Sequence, residues 1–310
     1  MYGADPSAGV TAWRWTSPSR TPSALVALDC DGTLLRSDAS LSPLSVKVIK
    51  RLGEMGVAVT LATGRRFSAA LPYARSLGLQ QPLVLHNGAL IAHPLTGETL
   101  RYLPLPREAA EATILLARTF DLDILLFSDP TEREGAGLIE RMPRNPFDRR
   151  FVVESGGLIQ EVADLLRALP ARPLKLICAG PPESIGPFHE KLRAVLPSTG
   201  QQARTVLYNS QGRVIWSVEV LHAQASKAAG VAYVAHLLGL TLADVIAFGD
   251  DMNDYDLLAS AGIGVAMENG APELRQVARE VAPANDKDGV ALVLARLFGL
   301  DAADPESQGR

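Results

Sequence analysis

The chain of 310 residues has few cysteines, little net charge and no long apolar run. Its two cysteines, Cys30 and Cys178, are too few for a disulfide framework, so we expect a reducing compartment, the cytoplasm. The formal net charge of −4 gives no reason to expect a nucleic-acid or membrane partner. No apolar run approaches the length of a membrane span, and the first residues lack the apolar core of a signal peptide. A soluble globular protein, long enough for two domains, is what we predict.

The segment from Ala24 to Thr33 is an apolar run that ends in two aspartates, Asp29 and Asp31. An apolar run of this length that ends at a turn predicts a buried strand of a parallel sheet. Because strand side chains alternate between faces, Asp29 and Asp31 would point the same way and Cys30 the other way. Two carboxylates this close repel each other at pH 7, so the pair would hold a proton or a cation. Taken alone, the pattern is equally compatible with a plain polar turn.

Predicted strands and helices alternate after this turn. A helix that begins at Ser42-Pro43 leads to a strand over Val57–Ala62, and a second helix, to about Leu77, leads to a strand over Leu83–His86. Strands and helices alternating at these lengths predict a doubly wound parallel sheet of the α/β class.

The middle of the chain has a different character. It carries a hairpin signal, strands and helices that do not alternate in the same way, and a polar stretch rich in arginine. The predicted elements are a hairpin at Pro94–Gly97, helices at Pro106–Phe120, Leu158–Leu169 and Glu183–Leu196, strands at Leu122–Phe127, Leu174–Cys178 and Thr205–Tyr208, and the polar stretch Ser128–Arg150. We interpret this region as a small α+β domain inserted into the first one. The arginines Arg141, Arg144, Arg149 and Arg150 could meet a second anionic group, but a solvated charge cluster is favoured.

The first pattern returns after Val214. A helix opens at Ser226-Lys227, a strand over Val245–Phe248 ends in a run of acidic and amide residues, and Ile263–Ala266 is a further strand. Asn269 is predicted to cap the helix that follows, with Pro272 in its first turn.

Four predicted strands therefore end in polar residues. These are Asp29 and Asp31, then Thr63, then Asn87, then Asp250, Asn253 and Asp254. The carboxyl ends of parallel strands lie along one edge of a sheet, so we expect these side chains to form one site. Such an oxygen-rich site suits Mg²⁺, which uses one or two carboxylates and leaves positions for water and phosphate.

Lys227 is the predicted partner for the phosphate. A lysine in the first turn of a helix opposes the helix dipole, which favours anions there. A cation at that place is explained if an anion binds beside it. The alternative is an exposed lysine whose long stem reaches solvent.

These residues carry a resemblance to a known family. Asp29-Cys30-Asp31-Gly32-Thr33, Thr63-Gly64-Arg65, Lys227 and the run Gly249–Asp254 resemble, in this order, the four motifs of the haloacid dehalogenase (HAD) superfamily. The insertion, preceded by Asn87-Gly88, resembles the type IIB cap of the Cof-like hydrolases, and Val265–Asn269 resembles that branch too. The resemblance covers residues from about 24 to 300. Ala228 and Gly270 depart from the usual Gly and Ala, and neither change removes a catalytic group.

The resemblance implies a Mg²⁺-dependent phosphatase of small phosphomonoesters, with sugar phosphates the common substrates. Asp29 would be the nucleophile that becomes an aspartyl-phosphate. Asp31 would protonate the leaving oxygen, then activate water, and its backbone carbonyl would bind Mg²⁺ with Asp29 and Asp250. Thr63 and Lys227 would hold the phosphoryl oxygens, and Asp254 would orient Lys227. The remaining substrate-binding residues would be Gly32, Gly64 and Asn253.

The change of character along the chain sets the predicted domain limits, and the resemblance names the two domains. A Rossmann-like HAD core would comprise residues 21–90 and 211–300, and an α+β cap domain would comprise residues 91–210. Residues 1–20 and 301–310 would be a flexible extension and a flexible tail. We expect a small phosphorylated metabolite as the partner, and a monomer or weak homodimer.

Three alternatives to this function remain at this stage. A phosphotransferase or mutase would use the same residues, and only the cap would decide whether water or a hydroxyl attacks. A non-catalytic nucleotide-binding module is less well supported, because Gly262-Ile263-Gly264 lacks the third glycine of the dinucleotide fingerprint. Cys30 and Arg36 have the spacing of a cysteine-dependent phosphatase loop, but two flanking aspartates would raise the pKa of that thiol.

Overall fold

The computed structural model describes residues 23–128, 136–198, 203–208 and 215–301. The predicted N-terminal extension, the tail from residue 302 onward and residues 129–135 of the polar stretch lie outside the described residues. Within the described ranges no helix is both long enough and apolar enough to span a bilayer.

The described residues form two compact units. The first consists of the described parts of Met1–Thr63, Leu71–Leu100 and Lys227–Arg310. The second consists of Gly64–Ala70 and the described part of Arg101–Ser226.

The elements follow each other along the chain in three groups. The first group is β1 (Leu25–Leu28), α1 (Pro43–Glu54), β2 (Ala58–Leu61), α2 (Phe67–Leu77), β3 (Leu83–Leu85), β4 (Leu90–Ala92) and β5 (Thr99–Tyr102). The second is α3 (Arg107–Thr119), β6 (Asp123–Phe127), β7 (Gly137–Ile139), α4 (Pro146–Glu154), β8 (Ile159–Glu161), α5 (Leu165–Ala168), β9 (Lys175–Gly180), α6 (Pro182–Ser198), β10 (Ala203–Tyr208) and β11 (Trp216–His222). The third is α7 (Lys227–Leu237), β12 (Val245–Gly249), α8 (Tyr255–Ser260), β13 (Ile263–Met267), β14 (Glu280–Ala282) and α9 (Gly289–Phe298).

The first unit is organised around a parallel sheet of strand order β14-β13-β12-β1-β2. Strand β1 is central and wholly buried, and its last residue, Leu28, is in register with Phe248 of β12 and Leu61 of β2. A further parallel bridge joins Ala62 to Val84 and so places β3 beside β2. The carboxyl ends of β12, β1, β2 and β3 therefore follow one another along one edge of the sheet. The predicted α/β fold class is confirmed.

Local sequence explains how the helix after β1 begins. Ser42 is extended, and its hydroxyl accepts a hydrogen bond from the N–H of Ser45 at 2.9 Å. Pro43 occupies the first helical turn, where its missing N–H costs nothing. Val48, Ile49 and Leu52 share the buried face of α1, as the helical spacing requires. This start agrees with the prediction from sequence.

The second unit has a six-stranded sheet of order β10-β11-β9-β6-β7-β8, antiparallel except between β7 and β8. Its core holds alternate strand residues such as Leu176, Cys178, Val218 and Val220, which pack with apolar residues of α3 and α6. Antiparallel strands with one face on a helical layer make this an α+β unit.

Three predicted elements of the chain were wrong. The segment predicted as a helix at Leu158–Leu169 holds β8 and the short α5, separated from α4 by Gly156 and Gly157 at φ 64° and 83°. The described part of the polar stretch holds β7, and α4 begins within it. Asn269 caps no helix, because the turn at Pro272–Gln276 is a 3₁₀ helix with Ala271 at its N-cap position.

The unit limits also differ from the predicted domain limits of 91–210 for the cap. Strand β4, Leu90–Ala92, pairs with β3, so the first unit continues to Leu100. Strand β11, Trp216–His222, lies between β9 and β10, so the second unit continues to Ser226. Each shift follows from a strand that pairs with its own unit's sheet.

Candidate active site

Asp29 and Lys227 meet at the centre of the polar edge. Asp29 follows β1 directly, and its N–H donates to the carbonyl of Phe248 at 3.2 Å. Lys227 is the first residue of α7 and is 1% exposed. Its Nζ donates to Oδ1 of Asp29 and to Oδ1 of Asp254, both at 2.7 Å. The alternative of a solvent-exposed lysine is therefore wrong, and the ammonium bridges two carboxylates from distant parts of the chain.

Three carboxylates gather around this ammonium. Asp29, Asp250 and Asp254 each offer an oxygen, and these oxygens lie within 4.8 Å of one another. Asp250 accepts a hydrogen bond from the hydroxyl of Thr33 at 2.8 Å. Asp254 accepts the backbone N–H of Asp250 at 3.2 Å through its other oxygen. Three acids around one lysine leave an excess of negative charge in a largely buried place.

The pKa values of the site reflect this excess. Burial, followed by the charges of Asp29 and Asp254, raises the pKa of Asp250 to about 9. Burial also raises the pKa of Asp254, and Lys227 opposes that rise. Burial would lower the pKa of Lys227, but Asp254 and Asp29 outweigh it and raise that pKa above its usual value. The lysine is therefore charged, and Asp250 calls for either a proton or a cation beside it.

The donor set fits a divalent cation. Carboxylate oxygens are the ligands that hard cations prefer, and an added positive charge would relieve the repulsion that raises the pKa of Asp250. Asp29 and Asp250, two of the predicted metal ligands, belong to the cluster. Its third carboxylate is Asp254, which we expected to orient Lys227. Asp31, the remaining predicted ligand, was expected to contribute its backbone carbonyl, and its residue is exposed.

Gly32 brings the turn after β1 against Asp250. Its φ is +75°, which side chains disfavour. A Cβ built at Gly32 would lie 2.2 Å from Oδ2 of Asp250. A larger residue would therefore displace the carboxylate that needs the cation.

Thr63, Asn87 and Asn253 form the adjoining part of the edge. Thr63 is 1% exposed, its N–H donates to Val84 at 2.9 Å, and its carbonyl accepts the N–H of Asn87 at 3.0 Å. Asn253 donates through Nδ2 to Oδ1 of Asn87 at 3.0 Å. Asn87 has a positive φ of 54° and is buried. The structure thus links Thr63 and Asn253 through Asn87, which ends one of the four strands whose polar ends we expected to meet.

Gly64 groups with the second unit. Its carbonyl lies 3.4 Å from Nζ of Lys175, a residue of β9. Its predicted role in binding substrate stays a prediction.

Comparison with known proteins identifies the family. The family model for haloacid dehalogenase-like hydrolases matches residues 26–294, which is most of the chain. The chain belongs to this family. The predicted HAD membership and the predicted hydrolase class are confirmed.

Two curated relatives of this HAD-like hydrolase are phosphatases by name. An HMP-PP phosphatase of Serratia proteamaculans is 32% identical over 254 residues, covering 82% of this chain and 86% of the relative. A 5-amino-6-(5-phospho-D-ribitylamino)uracil phosphatase of Bacillus subtilis is 28% identical over 280 residues, covering 89% and 98%. Among solved structures, a HAD subclass IIB sugar phosphatase has a TM-score of 0.71 at 18% identity, covering 89% of this chain and 99% of that one. This last similarity is one of fold.

The cysteine-phosphatase alternative does not survive in this HAD-like hydrolase. Cys30 is fully buried. Arg36 forms an ion pair with Asp288 at 2.9 Å. The thiol is therefore inaccessible and the arginine is already paired with a carboxylate, whereas a nucleophilic cysteine needs an accessible, electropositive setting.

The arginines of the second unit are compensated by acids of the same unit. Arg141 and Arg144 each pair with Asp121, at 2.7 and 2.5 Å, and each also contacts Asp123 at 3.3 Å. Arg150 pairs with Glu154 one helical turn away at 2.7 Å. These contacts favour a charge cluster of the fold over a second anion site.

Sequence reasoning did not assign several residues that touch the site. Thr33 and Asn269 stand inside segments that resemble the family. Asn269 donates through Nδ2 to the carbonyl of Gly32 at 2.7 Å. Asn285, further along the chain, carried no such signal.

Proposed function

We propose that the protein is a Mg²⁺-dependent phosphatase that hydrolyses small phosphomonoesters through an aspartyl-phosphate on Asp29. The observation that carries this proposal is a buried cluster in which Lys227 bridges Asp29 and Asp254. A carboxylate oxygen of Asp250 lies within 4.8 Å of oxygens of both aspartates. The curated relatives, which are named as phosphatases, support it.

Each reacting side chain has a defined task in the proposed reaction. A carboxylate oxygen of Asp29 attacks phosphorus, and the bond from phosphorus to the leaving oxygen breaks. Asp31 gives its proton to that leaving oxygen. The Asp31 carboxylate then accepts a proton from water, whose oxygen attacks the phosphorus of phospho-Asp29. Phosphate leaves, and both aspartates return to their starting protonation states.

Cationic and polar groups lower the barrier of both steps. Lys227 already lies 2.7 Å from Asp29, so its ammonium would be near the phosphoryl oxygens as negative charge develops on them. The hydroxyl of Thr63 and the backbone N–H of Gly64 would donate hydrogen bonds to the same oxygens. Asp254 holds the ammonium in place.

The proposed metal ligands are Asp29, Asp250 and the backbone carbonyl of Asp31, with Asn253 in support. Mg²⁺ would supply the charge neutralisation that lets a phosphate dianion approach a carboxylate. Asp250 and Asp254 would otherwise repel that dianion.

The substrate class is the finer part of the proposal. The two curated relatives act, by name, on phosphorylated compounds, one of which carries a 5-phospho-D-ribityl group. We propose small phosphorylated metabolites, sugar phosphates first, for this protein. The predicted cytoplasmic location, the monomer or weak homodimer and the absence of nucleic-acid and membrane partners stay predictions.

A phosphate-release assay tests the function. The protein is incubated with a panel of metabolite phosphates and with p-nitrophenyl phosphate, in Mg²⁺ and after metal removal by EDTA. We expect turnover with Mg²⁺ only, restored when Mg²⁺ is added back. Full activity in a protein that metal analysis shows to be free of metal would reject the proposed metal-dependent site. Transfer of phosphate to a sugar acceptor in place of water would show a phosphotransferase.

Two isosteric variants test the mechanism. Asp29→Asn should form no phosphoenzyme with any substrate. Asp31→Asn keeps the nucleophile, and nitrophenolate leaves without a proton, so p-nitrophenyl phosphate should give a burst of up to one equivalent followed by a much slower rate. Mass spectrometry should find the added phosphoryl group on Asp29. Equal slowing for good and poor leaving groups, with no burst and no adduct, would deny Asp31 its acid–base role.

A further inference from the structure

The turn that carries Asp31 is held by hydrogen bonds on two sides. On one side the hydroxyl of Thr33 donates to Asp250 at 2.8 Å. On the other side two asparagines from the last part of the first unit, Asn269 and Asn285, bond to its carbonyls. Asp31 is exposed, and its backbone belongs to this turn.

Asn285 is the inner member of the asparagine pair. It is 8% exposed, and its Nδ2 donates to the carbonyl of Leu35 at 2.8 Å. Its backbone N–H donates to Oδ1 of Asn269 at 3.0 Å. That bond orients the Asn269 amide, whose Nδ2 donates to the carbonyl of Gly32 at 2.7 Å. Asn285 therefore holds the turn directly at Leu35 and, through Asn269, at Gly32.

The turn transmits these contacts to Asp31. The N–H of Leu35 donates to the carbonyl of Cys30 at 2.8 Å, and Asp31 and Leu35 form an isolated parallel bridge. Gly32, the next residue after Asp31, has a φ of +75°, and a glycine has many other accessible backbone conformations to lose when the turn is held in one state. The asparagines thus restrain the turn after Asp31 at Gly32 and at Leu35, and the bond from Leu35 N–H to the carbonyl of Cys30 carries that restraint to the residue before Asp31.

We propose that Asn285 is a positioning residue for Asp31, acting through the backbone of residues 31–35. The inference rests on the proposed function, in which Asp31 gives a proton to the leaving oxygen. Proton delivery depends steeply on distance and direction, so a small displacement of the turn costs more with a leaving group that needs the proton.

The exposed contacts farther along the same segment provide a control. Ser37 donates from its backbone N–H and its hydroxyl to Asp286, at 2.9 and 2.6 Å. Asp286 is the neighbour of Asn285 in the chain, but its contacts hold residue 37, beyond the part of the turn next to Asp31. Asp286→Asn should therefore change turnover little with either kind of leaving group.

The test compares leaving groups in Asn285→Ala. Rates are measured with p-nitrophenyl phosphate and with the sugar phosphate that the wild-type protein hydrolyses fastest. We expect kcat for the sugar phosphate to fall at least about tenfold more than the phosphorylation rate with p-nitrophenyl phosphate, measured as the burst. A loss of folded protein would lower both rates by the same factor. Equal slowing of both substrates would therefore overturn the proposal.

Two further variants keep the test decisive. In an Asp31→Asn background, adding Asn285→Ala should produce no further leaving-group difference, because the group being positioned is already gone. If Asn285→Ala does not fold, Asn269→Ala is used instead, because it removes the bond to Gly32 at an exposed residue. It should slow the sugar phosphate more than p-nitrophenyl phosphate, by a smaller ratio than Asn285→Ala. An unchanged leaving-group ratio in Asn269→Ala would then reject the proposal. A wild-type protein that hydrolyses neither substrate would instead reject the proposed function.

Discussion

Each of the two units contains a buried lysine, and the two lysines have opposite surroundings. Lys227 in the first unit lies among Asp29, Asp254 and Asp250, so acids outnumber the cation. Lys175 in the second unit pairs with Glu219 at 2.7 Å, one charge against one. The arginines of the second unit show the same balance, with Arg141 and Arg144 against Asp121 and Asp123.

The difference separates charges that serve the fold from charges that serve chemistry. A balanced buried pair neutralises itself, and breaking it mainly costs stability. An unbalanced cluster of carboxylates costs free energy unless something else supplies positive charge. The first unit tolerates that cost at one place, where four strand ends meet.

Neutralising one acid in each unit should give the largest contrast. Asp29→Asn removes the nucleophile, so turnover should fall by more than about 10³-fold. Asp123→Asn is the matched change in the second unit, where Asp123 is equally buried and its carboxylate accepts hydrogen bonds from Arg141 and Arg144. It should leave kcat within about twofold of wild type, since a paired acid of the fold takes no part in transfer. Steady-state rates with Mg²⁺ check both variants, and a comparable loss in Asp123→Asn would break the comparison.

Replacing each buried lysine by methionine should separate function from stability. Lys227→Met should slow turnover by about 10²–10³-fold, as expected when a group that stabilises transition-state charge is lost. Its stability should depend on Mg²⁺, because the three acids then have no lysine. Lys175→Met leaves Glu219 buried without its cation and should cost about 3–5 kcal/mol of unfolding free energy.

Urea titrations with and without Mg²⁺ measure these two effects. Mg²⁺ should raise the unfolding midpoint of Lys227→Met and have no larger effect on Lys175→Met than on wild type. A Mg²⁺-independent loss of stability in Lys227→Met, with unchanged turnover, would mean that Lys227 serves the fold alone.

Metal affinity should depend on pH through Asp250. The pKa of this group is about 9 without metal, above its usual value of 3.8, so below pH 9 the cation must displace a proton. Mg²⁺ affinity should therefore fall as pH falls, by up to about tenfold per pH unit between pH 8 and 6. Without metal, the raised pKa of Asp250 should make the folded protein less stable as pH rises from 3.8 toward 9, because the folded protein holds this proton more tightly than the unfolded chain does. Hence Mg²⁺ should raise the melting temperature more at pH 8 than at pH 6.

Calorimetric titration in two buffers of different ionisation enthalpy counts the released protons. We expect about one proton per Mg²⁺ at pH 7. Asp250→Asn is the control and should lose both the metal response and the proton release. A pH-independent Mg²⁺ affinity would show that Asp250 does not exchange a proton for the cation.

The smallest effect should come from an exposed arginine of the second unit. Arg144→Ala removes one side chain of the cluster with Asp121 and Asp123. Its side chain is 53% exposed, so the change should cost less than about 1 kcal/mol of stability and leave turnover unchanged. Chemical denaturation and the phosphatase assay measure both quantities. A marked rise in KM would instead revive the interpretation of this cluster as a second anion site.

Prediction from sequence succeeded where local signals and fold agree. Strand β1 was predicted from its apolar run, and the start of α1 from Ser42 and Pro43. The meeting of Asp29 with Asp250 followed from a general rule, since polar ends of parallel strands share an edge. Each of these predictions depends on a pattern within a few consecutive residues: an apolar run, a helix start or the polar end of a strand.

Prediction failed where pairing outside the segment decides. The apolar spacing from Leu158 to Leu169 suits a helix, but Ile159–Glu161 pairs with β7 and becomes a strand. Strand β11 was missed because its partners, β9 and β10, determine its state. The role of Asn285 could not be foreseen either, because its amide bonds to a carbonyl 250 positions away and its residue type alone predicts no contact.

This separation in sequence determines when the turn can be held in place during synthesis. The turn bearing Asp29 and Asp31 is synthesised before the residues that hold it. These are Asp250, Asn269 and Asn285, whose partners in the turn lie 217, 237 and 250 positions away. Long-range contacts of this kind form late in folding. A nascent chain that ends before residue 285 would contain every proposed catalytic residue without the amide that fixes the turn. Full competence to act on sugar phosphates would then require synthesis beyond residue 285.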